Sequence, residues 1–204
     1  MLSDSAFDGI KLIDPAPALG SKVDKGDVDE ILKIQKKRSK ADCEKASADA
    51  KLNPEHVFGA DSHLLTNEQV TEAMPLLKEV GEDEHFFTLK LKNYWKRLRP
   101  FAGYKGKLTA CITEPNDYSY PSGHSSTSMG WALALAELYP TKRADLIKRA
   151  NEIAEARVVG GVHFPSDIKA GQELGKKVFE KMMQDPNFVK KINELKVKAA
   201  TPEK

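Results

Sequence analysis

Residues 121–138 have the sequence PSGHSSTSMGWALALAEL, in which a turn leads into an apolar stretch. The alanine- and leucine-rich part, Ser125–Leu138, is predicted to be helical and to stop before Pro140. N–H groups at a helix N-terminus are free to bind an anion, and Gly123 in the turn would let a ligand approach them closely. By itself, a Ser-Gly turn before a helix is as often only a turn.

The segments on both sides also show helical spacing, and none shows the period-two alternation of a strand. We therefore predict an all-α fold, a single helical-bundle domain over residues 23–204 preceded by an extended N-terminal arm over residues 1–22. A loop is expected over Phe101–Tyr120 because Gly, Pro, Asn, Asp and Thr are frequent there. The other predicted helices are Asp24–Leu52, Thr66–Val80 with a break at Pro75, Glu82–Leu98, Asp145–Arg157, Pro165–Gln184 and Asp185–Val197.

Length and composition restrict the class of protein. The 204 residues suffice for one domain, and 40% hydrophobic residues with a net charge of +2 exclude a disordered chain and do not suggest a nucleic-acid binder. No transmembrane span is expected, and Met1–Gly20 lacks the basic and apolar regions of a signal peptide. Cys43 and Cys111 could form one disulfide or remain two thiols; the sequence leaves both open.

Two further segments place polar residues where they suggest a pocket. Lys92 and Arg99 are seven residues apart, which on a helix is two turns, so both are predicted to project from one face. Arg157, His163 and Asp167 flank an apolar, glycine-rich stretch. Each segment alone has an ordinary structural explanation, such as a solvated helix face or a helix cap.

Together the three segments resemble a known signature. The order of motifs is Lys-x6-Arg-Pro, then Pro-Ser-Gly-His, then Arg-x5-His-x3-Asp. This order is similar to the motif of the type 2 phosphatidic acid phosphatase superfamily, which is related to the vanadium haloperoxidases. Three segments look like the corresponding segments of the bacterial class A non-specific acid phosphatases: Arg99–Ala102, Ser119–His124 and Asn151–Asp167. One departure is Ala156, where that family usually has serine before the motif arginine.

The resemblance implies a periplasmic, metal-independent acid phosphatase of phosphate monoesters that works through a phosphohistidine and can also transfer phosphate. It implies no cofactor, phosphate or vanadate as active-site ligand, no nucleic acid or membrane span, and association as a homodimer. Three permanent cations and the donors of the helix start would bind the phosphate. The predicted phosphate-binding residues are Lys92, Arg99, Ser122, Gly123 and Arg157.

His163 is the predicted nucleophile, because Asp167 four residues later can accept a hydrogen bond from Nδ1–H, which leaves Nε2 free to attack. His124 is the predicted general acid and base. The two histidines could exchange roles; only the Asp167 partnership and the resemblance favour this order. No set of residues has the spacing of a metal site.

Three other functions fit parts of this pattern. A vanadium-dependent haloperoxidase has a similar constellation but is usually much larger. A membrane lipid phosphatase has the motif but needs spanning helices. A helical phosphate-binding protein with a decayed site would not keep every catalytic position filled.

Overall fold

The computed structural model describes residue 2 and residues 11–199, and every regular element within them is helical. The predicted all-α fold is confirmed. None of the helices in this part of the chain has the length and apolar character needed to cross a bilayer. The helices are α1 (Lys22–Lys37), α2 (Lys40–Ala48), α3 (Pro54–Phe58), α4 (Asn67–Trp95), α5 (Pro100–Gly103), α6 (Gly123–Leu138), α7 (Arg143–Val159), α8 (Pro165–Met182) and α9 (Pro186–Ala199), with short 3-10 turns at Ala60–Ser62 and Pro140–Lys142.

Helix α6 lies at the centre of the fold. Every residue of Ser125–Ala136 is buried, because this helix has small or apolar side chains on all of its faces. It packs against α4, α7 and α8. Helix α8 approaches it closely at Gly171 and Gly175, where an added Cβ would lie 2.4 Å from Ser122 O and 2.5 Å from Ser126 O. The helix that begins at the candidate anion site is therefore also the core of the molecule.

The predicted single helix over Asp24–Leu52 is wrong. The chain breaks at Arg38, which is extended, and α2 begins again at Lys40. Ser39 and Asp42 form a reciprocal capping box, in which each side chain accepts from the other residue's backbone N–H. That pair starts a new helix in a stretch where the apolar spacing alone suggested continuity.

The predicted break at Pro75 is also wrong, because α4 continues through this residue from Asn67 to Trp95. A proline inside a helix removes one N–H donor. Pro75 is on the exposed side, and so is Thr71, whose carbonyl would have accepted that bond. Water can satisfy a carbonyl on that face, so the helix tolerates the proline there.

Cys43 and Cys111 form a disulfide, which resolves the alternative that the sequence left open. The bond joins α2 to the irregular segment between α5 and α6. Part of the predicted arm, residues 1 and 3–10, lies outside the described residues. Leu12 and Ile13 are buried, and Leu12 O accepts a hydrogen bond from Lys177.

Candidate active site

Lys92 and Arg99 lie close together, but not in the way that was predicted. Helix α4 ends at Trp95, Lys96 takes a left-handed conformation with φ 49°, and Arg99 stands before the first residue of α5. The prediction that both cations project from one helix face is therefore wrong. They meet because the chain turns, and Asp117 joins them: its Oδ2 lies 2.5 Å from Lys92 Nζ and its Oδ1 lies 2.5 Å from Arg99 Nη2.

The PSGH turn leads into α6 as predicted. Ser122 is the N-cap, and its hydroxyl accepts a hydrogen bond from the N–H of Ser125. The N–H of Ser122 donates to Asp167 O at 3.0 Å, which ties the turn to α8. His124 follows in the first turn, with Nε2 3.1 Å from the carbonyl oxygen of Ala50. Because a carbonyl can only accept, Nε2 carries the proton of a neutral His124.

The third segment places His163 between α7 and α8, with 2% of its surface exposed. Its Nδ1 lies 3.3 Å from Asp167 Oδ2, and its Nε2 lies 3.1 Å from Arg99 Nη1. Asp167 Oδ2 also accepts from the N–H of Phe164 at 2.8 Å, as part of the capping of α8. A guanidinium has no acceptor atom, so the nitrogen that faces Arg99 holds a lone pair.

Arg157 lies in the last turn of α7 and is 3% exposed. Within the described part of the chain, neither Nε nor Nη1 of this side chain has a hydrogen-bond partner. A buried guanidinium with unused donors is costly unless it binds an anion. Its pKa is lowered to about 10, first by burial and then by the charge of Arg99. Arg157 is therefore the clearest sign of an anion site.

The electrostatics of the site act on both histidines. Burial first, and then the charges of Arg99, Lys92, Arg157 and His124, lower the pKa of His163 well below its ordinary value. Burial, followed by the charge of Arg157, lowers the pKa of His124 to about 4. Burial and the charge of Arg99 lower the pKa of Lys92 to about 8, although Asp117 opposes this shift. These mutual effects show that the predicted cations and histidines form one cluster.

Two residues of this cluster were missed from the sequence. Arg97 donates to Asp167 Oδ1 at 2.7 Å, and also to Asp24 at 3.0 Å and to Asp27 at 2.9 Å. Asp117 bridges Lys92 and Arg99. Arg97 lies two residues before the motif arginine and offered a weak signal, while Asp117 lies in a predicted loop and offered none.

Within the same described residues, no group of three His, Cys, Asp or Glu side chains is arranged to hold a metal ion.

Comparisons with known proteins identify the family of this chain. Residues 84–177 match the PAP2 superfamily model. The chain is 31% identical to a non-specific acid phosphatase of Providencia stuartii over 206 aligned residues, which cover 95% of this chain and 82% of that protein.

Solved structures show the same fold. A vanadium-dependent iodoperoxidase matches with a TM-score of 0.64 at 18% identity, over 88% of this chain and 55% of that one. A transmembrane PAP2-type phosphatidylglycerolphosphate phosphatase from Bacillus subtilis matches with a TM-score of 0.55 at 19% identity, over 79% of this chain and 85% of that one.

The fold and the site thus define a helical phosphatase of the PAP2 superfamily. Within that superfamily, the chain belongs to the non-specific acid phosphatases.

Proposed function

We propose that this acid phosphatase hydrolyses phosphate monoesters through a phosphohistidine on His163, with His124 as the general acid. The observation that carries the proposal is the buried guanidinium of Arg157 with its unused donors, beside two further cations and two histidines. Lys92, Arg99 and Arg157 would stabilise the charge on the phosphoryl oxygens, which is the main demand of phosphoryl transfer. Ser122 and the N–H of Gly123 would add donors at the start of α6.

His163 is held in the tautomer that the reaction needs. Asp167 accepts from Nδ1–H, and the permanent donor Arg99 faces Nε2, so the lone pair of the neutral ring lies on Nε2, the atom that would attack. The lowered pKa keeps the imidazole neutral at neutral pH, and no proton has to leave before Nε2 attacks phosphorus. Asp167 then stabilises the positive charge that forms on the phosphorylated ring.

His124 would supply the proton. When Nε2 of His163 bonds to phosphorus, the bond from phosphorus to the ester oxygen breaks, and His124 protonates that oxygen so that an alcohol leaves. Neutral His124 next takes a proton from water, the water oxygen bonds to phosphorus, and the bond to His163 breaks. The low pKa of His124 applies without a ligand; the negative charge of a bound phosphate opposes the cations that lower it.

An alcohol or a nucleoside could replace water in the second step, and we therefore include phosphotransfer in the proposal. We also propose the periplasm as the compartment, since the Cys43–Cys111 disulfide needs an oxidising environment. Vanadate, which has the shape of phosphate, is proposed as an active-site ligand. A homodimer is proposed from the family resemblance.

The test is to trap the intermediate. The enzyme is mixed with a radiolabelled phosphate monoester and quenched with base, because phosphohistidine is labile in acid. We expect label on the wild-type protein and on His85→Ala, which removes an exposed histidine of α4. His163→Ala should carry no label, and its kcat should fall by several orders of magnitude. Label that persists on His163→Ala would contradict the assignment.

A further inference from the structure

The Asp117 carboxylate lies where two phosphate oxygens would be expected. One oxygen is 2.5 Å from Lys92 Nζ and the other is 2.5 Å from Arg99 Nη2. The backbone of the same segment takes up further donors of these two cations: Asp117 O accepts from Arg99 Nε at 2.9 Å, and Tyr118 O accepts from Lys92 Nζ at 2.6 Å. A carboxylate and a phosphate present similar pairs of oxygens to a cation, so both compete for the same donors.

Asp117 stands on the solvent side of these cations. Its side chain is 46% exposed, whereas those of Lys92 and Arg99 are 5% and 4% exposed. It also lines a cavity of about 400 Å³ together with Arg99, Phe101 and Tyr118. A ligand in this cavity would therefore lie beside both Asp117 and Arg99.

The carboxylate is charged when it holds this position. Burial would raise the pKa of Asp117, but the hydrogen bonds and charges of Lys92 and Arg99 together lower it below its usual value. Its negative charge therefore persists at neutral pH and in mild acid.

The segment that carries Asp117 is fixed at its ends and irregular between them. Cys111 is bonded to Cys43, and the N–H of Ser119 donates to Arg97 O at 2.9 Å. Residues 112–118 between these two points have no helix or strand. A displacement of Asp117 can thus be confined to a few residues and leave the packed helices in place.

We propose that Asp117 is a built-in competitor of the substrate, which holds Lys92 and Arg99 in the free enzyme and is displaced when a phosphate group binds. The inference rests on the proposed phosphate site. The internal anion compensates two buried cations in the free enzyme, and it lowers the affinity for every external anion, including the phosphate product.

The experiment measures the binding of inorganic phosphate by calorimetry to the wild type, to Asp117→Asn and to Glu114→Gln. Asparagine keeps the shape of Asp117 but removes its charge, and Glu114→Gln removes an exposed charge from the same segment. We expect Asp117→Asn to bind phosphate three- to tenfold more tightly, on the order of the contribution of one or two partly exposed ion pairs. In Asp117→Asn, the KM for an aryl phosphate should also fall, whereas kcat should not rise. Glu114→Gln should match the wild type.

A merely structural role for Asp117 predicts a less stable protein with unchanged or weaker phosphate binding, and that result would overturn the inference. Equal tightening in Glu114→Gln would overturn it as well, since the effect would then be one of overall charge. The absence of phosphate binding in all three proteins would instead reject the proposed function and the inference with it.

A second measurement needs no variant. In the wild type, hydrogen exchange of the backbone amides in residues 112–118 should become faster when phosphate saturates the site, because the segment loses its contacts with Lys92 and Arg99. Slower or unchanged exchange would contradict displacement of Asp117.

Discussion

At the scale of single residues, the site works by charge compensation among buried groups. Lys92, Arg99 and Arg157 disfavour protonation of both imidazoles, and this has opposite consequences for the two proposed roles. It favours His163, because a nucleophile must be neutral. It opposes His124, because a general acid must be protonated. The negative charge of the bound substrate must therefore raise the pKa of His124 again.

His124→Ala should therefore distinguish substrates by their leaving groups. An alkyl phosphate needs a proton on its leaving oxygen, whereas an aryl phosphate leaves with little help. We expect kcat/KM to fall by about 10²–10⁴-fold for the alkyl ester and far less for the aryl ester. Equal losses would indicate that His124 only binds.

The pH profile of the wild type should support the same assignment. In the free enzyme the pKa of His124 is about 4, so the protonated fraction decreases as pH rises above that value. His163 must be neutral, and its lowered pKa places that requirement in acid. The profile of kcat/KM for an alkyl phosphate should thus have its maximum below neutrality, and the residual activity of His124→Ala on that substrate should lose the decrease on the alkaline side.

Arg97 contacts Asp167 and is proposed as a positioning residue for His163. Its guanidinium holds Asp167 Oδ1 at 2.7 Å and lies 4.0 Å from the centre of the Phe164 ring. Arg97→Gln leaves buried carboxylates without their counter-ion, so the free energy of unfolding should fall by roughly 3–5 kcal/mol. With protein that is still folded, kcat should fall by about tenfold or more while KM changes little, because Asp167 no longer fixes His163.

The matched control for this variant is Arg143→Gln, which removes an exposed arginine at the start of α7. Both variants are compared by urea unfolding and by steady-state kinetics. A loss of stability in Arg97→Gln with kcat intact would show that Arg97 supports the fold and not the nucleophile.

How far the sequence could predict the site depends on the kind of residue. The motif residues are recognisable because their chemistry and spacing are both restricted. Asp117 and Arg97 act through contacts across the chain, 18 to 73 residues away in sequence, and a charged residue in a loop or near a helix end has many ordinary roles. Only the folded chain shows which role it takes.

At the scale of helices, the packing of α8 on α6 depends on how closely the two backbones approach, which the spacing of apolar residues does not show. An added Cβ at Gly175 would lie 2.5 Å from Ser126 O and 3.0 Å from Met129 Cβ, so α8 would have to shift away from α6. Gly175→Ala should lower the free energy of unfolding by about 1–3 kcal/mol. Gly26→Ala in α1 is the control, since an added Cβ there meets nothing within 4 Å.

The two glycine variants should shift stability in opposite directions. Alanine is the better helix former, so Gly26→Ala should be more stable by about 0.5–1 kcal/mol. Urea unfolding measures both. A neutral Gly175→Ala would mean that α8 can move away from α6 without loss.

Helix existence was predictable, and helix boundaries were less so. Repeating apolar residues identified α6, α7 and α8 because each buries one or more faces. The break at Arg38 before α2 depends on the Ser39 cap, and the continuity at Pro75 depends on solvent exposure. The spacing of apolar residues shows neither where a cap starts a new helix nor which side of a helix faces solvent.

At the scale of the whole molecule, the disulfide connects parts of the chain that are 68 residues apart. Cross-linking a loop of this length restricts the unfolded chain and is expected to stabilise the protein by about 4 kcal/mol. The paired variant Cys43→Ser/Cys111→Ser should therefore unfold at lower urea concentration. Wild-type protein treated with a reductant should approach the same midpoint, and an unchanged midpoint in both would contradict a stabilising role.

The contacts of Arg97 bear on the shortest fragment of this chain that could be active. Every residue of the superfamily motif lies within 92–167, and residues 84–177 match the superfamily model. These bounds suggest a minimal fragment without the N-terminal helices. Asp24 and Asp27 belong to α1, yet they share the Arg97 guanidinium with Asp167, which contacts the proposed nucleophile His163. A fragment trimmed to the motif would lose two of the three anions around that guanidinium, so we expect the N-terminal helix to be needed for activity as much as the helices that carry the signature.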